Sequence, residues 1–541
     1  DVYKRQGKTF VAHSGQPLEV RWENLLVDSA GDPLPPVLPV IDTSLHWAYS
    51  LHGYTQYTVE DDGIPIVPHV HGGHTDFQYD GNPEFFFSPN WEIRGPQWVE
   101  KSYIYDNSQP AGTVWYHDHA LGITRLNVYA GMAGFYIIRD DFDTGLLGNS
   151  LDLPAFPYEA AFAIQDKMFL ESGELFYPAF PGDPFYDDFI TDQGATLPLD
   201  IFPGGGPTAL AEFFGDHMVV NGKIWPKMNV EPRNYRLRFL NGCDSRFLAV
   251  QFFEVPAGAT DFAHAGDPLE FTVIGSDQGL ASEPTTVDTL LMETGSRYDV
   301  IFDFKQVKFG NRVIMRNLGG DDPFGGGILV PGGERAFPEM EKVMAFDVER
   351  ERDTAIVDAA PSATRLEAYD IGRSSAFGAY ATTLSSSRTR KVALFEGEDE
   401  FGRLQPLLGT AEPATDYLGN PINWPAEPEY QSVGLIGQME GTVAWHSPTT
   451  ENPALDTTEE WEIWNMTGDA HPVHLHLVHF EVLGRQEINI DSNADDDGFI
   501  PGGSSPEGDG AYLVPQPTVQ HNSVAGDPTT YGQGFKIVGT N

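Results

Sequence analysis

Tyr235-Arg236-Leu237-Arg238-Phe239-Leu240 alternates polar and apolar residues along almost its whole length. Side chains two apart in a strand share a face, so the stretch reads as a half-buried antiparallel strand. Comparable short runs stand at Leu18–Trp22, Gly112–Tyr116, Gly134–Arg139, Arg297–Asp303 and Trp461–Asn465. Gly and Pro, 57 and 41 in number, punctuate the intervals as turn formers. Long amphipathic helical stretches are scarce. Many short strands with turn signals between them predict an all-β fold built from sandwiches.

A chain of 541 residues is too long for one core, so about two to four domains are expected. Three segments separate: 1–150, 158–350 and 391–541. Leu151–Pro157, with two prolines, reads as the first linker. A polar stretch near 350–390, with Glu349–Asp353 and Ser385–Arg390 at its ends, reads as the second. Asp491–Gly510 is acidic and rich in Gly, Ser and Pro, as for a long surface loop. Within it Asn493–Gly498 resembles the start of a calcium loop, but no Glu follows at the twelfth position, which favours a solvated acidic loop.

The formal charge is −47, from 32 basic and 79 acidic side chains. A phosphate-binding partner needs a basic face, so nucleic acid is excluded, and an anionic membrane surface is disfavoured by the same repulsion. Solubility, or adaptation to high salt where self-repulsion is screened, accounts for such acidity. No apolar run reaches the ~18 residues needed to span a bilayer. Cys243 is the only cysteine, which rules out an intramolecular disulfide and any cysteine-built zinc or iron–sulfur site. The chain starts at Asp1 and enters strand-like sequence by Pro17–Asn24, so its N-terminus is expected to be incomplete.

Histidines carry the chemistry. Three His-x-His pairs occur: His69-Val70-His71, His117-Asp118-His119 and His474-Leu475-His476, the last preceded by His471. Random order of 16 His would give roughly 0.5 such pairs. On a strand, each pair presents two imidazoles on one face, with Cα atoms about 7 Å apart. Imidazole suits copper, zinc, iron and nickel.

The surroundings of the pairs match one family. Val67-Pro-His-Val-His-Gly-Gly73, Val114-Trp-Tyr-His-Asp-His119 and His471-Pro-Val-His-Leu-His476 resemble the first three copper motifs of multicopper oxidases. Gly112–Asp140, Val220–Pro226, Arg236–Asn241, Arg297–Asp303 and Trp461–Leu483 are similar to segments of bacterial spore-coat laccases and bilirubin-oxidase-type enzymes. The resemblance implies three cupredoxin-like Greek-key β-sandwich domains, here with the first and third incomplete. It implies four copper ions: one type 1, one type 2 and a type 3 pair. His69 and His474 match type 2 ligands; His71, His117, His119 and His476 match four of the six type 3 ligands; His471 matches a type 1 ligand. Such enzymes couple one-electron oxidation of a small reductant (a phenol, aromatic amine, pigment or metal ion) to four-electron reduction of O2 to water. Asp80, in Asp80-Gly-Asn-Pro-Glu84, falls where related laccases carry an acid near the cluster and is expected to relay protons; the plainer reading is a turn-forming Asp before Gly. The family further implies an extracellular, periplasmic or spore- or cell-surface location, and a monomer is expected.

The family's fourth motif, His-Cys-His, has no match. Cys243 lies in the middle segment without flanking histidines and reads as a structural thiol. The C-terminus is therefore expected to be incomplete, and residues 1–541 alone to lack the blue-copper thiolate and oxidase activity. The alternative is a copper-free cupredoxin-fold binding or scaffold protein, against which all seven matched histidines stand. A cupin with zinc or iron, and a two-domain nitrite reductase, fit the length and spacing less well. His13, His46, His52, His74, His217, His264, His446, His479 and His521 read as ordinary histidines.

Overall fold

A computed structural model of the chain describes chiefly residues 6–34, 59–186, 197–377, 386–410 and 449–478, with the strands Glu481–Arg485 and Phe535–Val538. It is built mostly of β-sheet, as the strand periodicity predicts. Arg297–Asp303 matches the sequence reading end to end, and Leu18–Arg21, Gly112–Asp118, Ala133–Arg139, Asn234–Asn241 and Glu459–Asn465 differ by one or two residues at an end. Among the described residues, no helix is long and apolar enough to cross a membrane.

In the first segment a four-stranded sheet runs in the order Phe10–His13, Ala133–Arg139, Gly112–Asp118, Pro68–His71. The outer strand Phe10–His13 is parallel to its neighbour and the other pairings are antiparallel. Val70, Val114, Tyr103, Tyr105 and Tyr136 fill the face beneath it. The middle segment pairs an eight-stranded sheet with a five-stranded one. Phe162, Phe239 and Phe302 from the larger sheet meet Phe252 and Phe346 from the smaller in one buried core. Phe252 and Phe302 lie 4.7 Å apart, and Phe162 and Phe346 meet edge to face at 5.9 Å, geometries that add to plain area burial. In the third segment Arg388–Glu398 pairs antiparallel with Leu404–Thr410 and parallel with Glu459–Asn465.

The strand around Tyr235 corrects the sequence reading. Asn234–Asn241 is antiparallel to Arg297–Asp303 but parallel to Glu159–Phe169 on its other side. It is buried on both faces: Arg236 is 1% and Arg238 0% exposed. The polar face is covered by the first segment, not water. Arg236 donates to both oxygens of Asp143 at 2.8 Å and to Asp299 at 2.9 Å, while Arg238 donates to Glu159 at 2.7 Å and to the Thr113 hydroxyl. Arg139 closes the set with Asp143 at 3.0 Å and Glu159 at 2.8 Å. Three guanidiniums thus face three carboxylates, which is how buried charges are tolerated.

Parts of both stretches read as linkers are packed. Leu151 and Leu153 are buried with Ile274, Leu280 and Ile301, and with Leu366 and Tyr369 of a helix, Ala363–Phe377, that the polar stretch near 350–390 did not foretell. Tyr369 donates its hydroxyl to Asp140 at 2.8 Å, tying that helix to the first segment.

Candidate metal centre

Pro68–His71 lies antiparallel to Gly112–Asp118 with His69 directly opposite His117. This register sets four of the histidines side by side, His119 standing just past the strand end. The loop after His71 then folds back. Gly81 holds φ +86°, and a Cβ there would fall 2.4 Å from the His69 Cβ, so only glycine permits this approach. That turn carries Asp80 into the cluster. His474 and His476 arrive from the third segment, and here the expectation of strand-borne pairs fails. Residues 471–476 run as irregular chain, so the strand pleat orients the first two pairs but not the third.

The six rings converge. From His69, ring centroids lie at 5.6 Å for His71, 5.2 Å for His117, 5.3 Å for His119, 5.6 Å for His474 and 4.2 Å for His476. The His69 Nε2 and His474 Nε2 are 3.3 Å apart, and so are His71 Nδ1 and His117 Nε2. Two nitrogens held about 3.3 Å apart suit one ion with metal–nitrogen bonds of about 2.0 Å at near-tetrahedral angles. The His117 Nδ1 is committed to the Asp118 carbonyl at 2.6 Å, which leaves its Nε2 lone pair for the cluster. The His69 Nδ1 is buried without a hydrogen-bond partner. Burial holds His69 and His71 well below the ordinary imidazole range, His117 at about 3 and His119 at about 4, with neighbouring histidines adding to the effect. His474 is the most exposed of the six. Its ring nonetheless stacks on His71 at 3.6 Å, and it is lowered too, by burial and then by His476. Neutral imidazoles on shared centres are the donor set a soft or borderline metal needs.

Asp80, 3% exposed, accepts from His476 Nδ1 at 2.8 Å and from the Thr75 hydroxyl at 2.8 Å, and lies 3.6 Å from His69 Nδ1. Carboxylates behind ligand imidazoles fix ring orientation and tautomer. Asp118 does related work that the sequence reading passed over. Its buried carboxylate accepts from the backbone N–H groups of Val67 at 2.8 Å and Ala120 at 3.0 Å, and from the Asn127 amide at 2.9 Å. It pins the His117–His119 strand end to the residue preceding Pro68. The signal was its place between two histidines, where only the flanking rings drew notice.

His471 stands apart from the six. Its Nε2 is 2.7 Å from the Thr467 hydroxyl, 3.2 Å from Asp469 and 3.5 Å from Glu396. The bond to Asp469 raises its basicity. Glu212 belongs to the same group: burial, then Asp469 and Glu396, push its carboxyl up to about 7. Cys243 is buried in the core of the middle segment, its thiol pushed up by burial and then by Asp166, with its Sγ 3.9 Å from the Ile164 carbonyl. His13 lies 3.5 Å from Asp141, and His217 pairs with Asp216 at 2.5 Å. The His74 backbone N–H is held by Gln109 at 2.7 Å. His46, His52, His446, His479, His521 and the acidic stretch 491–510 lie outside the described residues.

Comparison with known proteins gives the same answer as the rings. Two family models described as "Multicopper oxidase" match residues 64–142 and 423–501, the stretches that hold all seven histidines. A laccase of Bacillus stratosphericus is 32% identical across 90% of this chain and 75% of its own length, and a laccase of Bacillus subtilis (strain 168) 31% across 90% and 74%. A bilirubin oxidase of Albifimbria verrucaria is 30% identical across 79% of the chain and 57% of its own. Among solved structures, a variant of the McoA multicopper oxidase from Aquifex aeolicus superposes with a TM-score of 0.51 at 20% identity, covering 91% of this chain and 78% of that one, and so supports the fold. With nine-tenths of its length aligned to laccases and its histidine pairs inside both matched stretches, this chain belongs to the multicopper oxidase family.

Proposed function

We propose that the six clustered histidines hold three copper ions and that His471 serves a fourth, in a laccase-like oxidase that passes electrons from a small reductant to O2. The observation that carries this is the pairing of nitrogens at 3.3 Å between residues 405 positions apart, His69 with His474, and across neighbouring strands, His71 with His117. His69 and His474 would hold the type 2 ion. His71 and His117 would hold one ion of the type 3 pair, and His119 and His476 the other. Bound copper supplies the one-electron chemistry that delivers four electrons to O2 and yields water. The protein supplies rigidity and protons. Asp80 orients His476 through its Nδ1–H and, buried beside His69, is placed to hold a proton next to the cluster. Asp118 keeps His117 and His119 in register.

The carboxylates around His471 favour a cationic reductant. Asp469 and Glu396 stand within 3.5 Å of its ring nitrogen with Glu212 nearby, and the whole chain carries −47. A metal cation or a protonated aromatic amine is drawn to such a site and a carboxylated phenol is repelled. Cys243 is not the blue-copper thiolate: it is buried in another segment with a thiol that resists ionisation. Residues 1–541 by themselves then bind copper at the cluster but form no blue centre.

Copper loading of the 1–541 chain followed by metal analysis and absorption spectroscopy tests this. About three copper ions per chain are expected, fewer in His69→Ala and His474→Ala, with no strong band near 600 nm. Negligible copper uptake would make the chain a scaffold, and a strong blue band with turnover would restore to Cys243 the role denied it.

A further inference from the structure

The middle segment supplies none of the clustered histidines, yet one of its side chains reaches them. Arg297 opens the strand Arg297–Asp303 and is 2% exposed. Its Nε donates to the carbonyl of Thr113 at 3.1 Å, on the strand that carries His117. Its Nη1 donates to the Gly295 carbonyl at 2.9 Å and its Nη2 to the Asp277 carbonyl at 3.1 Å. The guanidinium lies close against Gly72, the residue after His71: a Cβ on Gly72 would fall 2.6 Å from Nη2. Gly295, two residues before Arg297, closes on His71 from the other side, where a Cβ would sit 3.5 Å from the His71 Cε1. The approach at Gly72 needs glycine; at Gly295 the contact would be an ordinary one, and it is the φ of +80° that favours glycine.

The charge of this side chain is poorly balanced. Its three hydrogen bonds go to carbonyls; Asp277, the carboxylate it pairs with at 3.1 Å, is 40% exposed and so partly screened by water, and Glu293 adds a second negative charge. The positive field of Arg297 acts on His71, His117 and His474.

We propose that Arg297 is a positioning residue for the His71–His117 side of the cluster, clamping the Gly72 turn to the Thr113 strand so that the two rings converge, and that its charge favours cuprous over cupric copper there. The inference rests on the reading of His71 and His117 as copper ligands. A cuprous ion carries one charge less than a cupric ion, so a fixed cation repels it less. A unit charge several ångströms away, at an effective dielectric of about 20, biases two such states by on the order of tenfold.

Competition of the full 1–541 chain with a chromophoric cuprous chelator, and separately with a cupric chelator, gives two affinities for each variant. In Arg297→Gln the ratio of cupric to cuprous affinity should rise about tenfold, whereas Arg297→Lys, which keeps the charge, should stay within about threefold of the wild type. Asp277→Asn keeps the acceptor for the Arg297 backbone N–H but removes the balancing charge, and should move the ratio the opposite way. It tests the idea even if Arg297→Gln does not fold. An unchanged ratio in Arg297→Gln and Asp277→Asn, or an equal fall in both affinities for Arg297→Gln and Arg297→Lys alike, overturns the charge role. A wild-type chain that takes up no copper overturns the ligand reading first, and the role of Arg297 with it.

Discussion

Asp143→Ala should be the most damaging single substitution outside the metal centre. Asp143 receives Arg236 through Nη1 and Nη2, both at 2.8 Å, Arg139 at 3.0 Å and Arg238 at 3.3 Å. Removing it leaves three guanidiniums facing Glu159 and Asp299, where the Arg236 and Arg238 side chains are no more than 1% exposed. Breaking a buried pair from one side costs about 3–5 kcal/mol, because the remaining charge stays desolvated. With four hydrogen bonds lost, we expect about 4 kcal/mol, which for segments of this size lowers the melting temperature by roughly 8–16 °C. Differential scanning calorimetry at pH 7 and low salt reads this, transition by transition, since a chain of several cores need not melt in one step. Asp143→Leu combined with Arg238→Met restores charge balance and should recover much of the loss. The pH dependence has a definite sign. Burial pushes the Asp143 and Glu159 carboxyls up, but Arg236, Arg238 and Arg139 outweigh it, holding Glu159 at about 2 and Asp143 lower still. Carboxyls depressed in the folded state contribute stability that is full above their ordinary range, near 4.5 for Glu, and is lost as the pH falls through about 2. The Asp143→Ala chain should show a shallower acid loss. A melting temperature within about 2 °C of the wild type, with an unchanged acid limb, would refute the idea that this network joins the two segments.

Three further substitutions probe the centre itself. Gly81→Ala places a Cβ 2.4 Å from that of His69 at a φ of +86°, so about 1–2 kcal/mol of backbone strain and reduced copper uptake are expected; copper uptake equal to wild type would show that the loop does not press on His69. Asp118→Ala strands the N–H groups of Val67, Ala120 and Asn127, and should cost about 3 kcal/mol in urea unfolding and lower the copper bound per chain; preserved stoichiometry would leave Asp118 without a part in holding His117 and His119. Cys243→Ala should lower stability by about 1–2 kcal/mol through a small cavity and leave copper content untouched; loss of a bound ion would make Cys243 a ligand after all.

What the sequence disclosed, and what it withheld, divide along one physical line. The histidine pairs were legible because a donor type repeated at spacing two is information held within three residues, and the fold class because strand periodicity is equally local. The third pair was assigned to a strand wrongly: spacing two describes a pleat only where the chain is extended and paired, and residues 471–476 are not paired into a sheet. The glycines at 72 and 81 could not be understood without the Arg297 guanidinium and the His69 side chain they allow to approach, and the helix Ala363–Phe377 lay hidden in polar sequence because its stability comes from Leu366 and Tyr369 docking on another segment.

The strand around Tyr235 makes the same point about charge. An alternation of period two states that two faces differ and does not state which is wet. Arg236 and Arg238 look like solvent-facing residues until Asp143, 93 positions from Arg236, closes over them. Arg297 repeats this arrangement one strand away, since its partners Thr113 and Gly72 come from the first segment. The adjacent strands Asn234–Asn241 and Arg297–Asp303 therefore present three buried arginines to the first segment. Two of them are matched by carboxylates and bind the segments together. The third donates to carbonyls and is balanced only in part by Asp277 and Glu293, and its field falls on His71. A middle segment without a single clustered histidine thus shapes the metal centre through cations, and a search for ligands alone would pass it by.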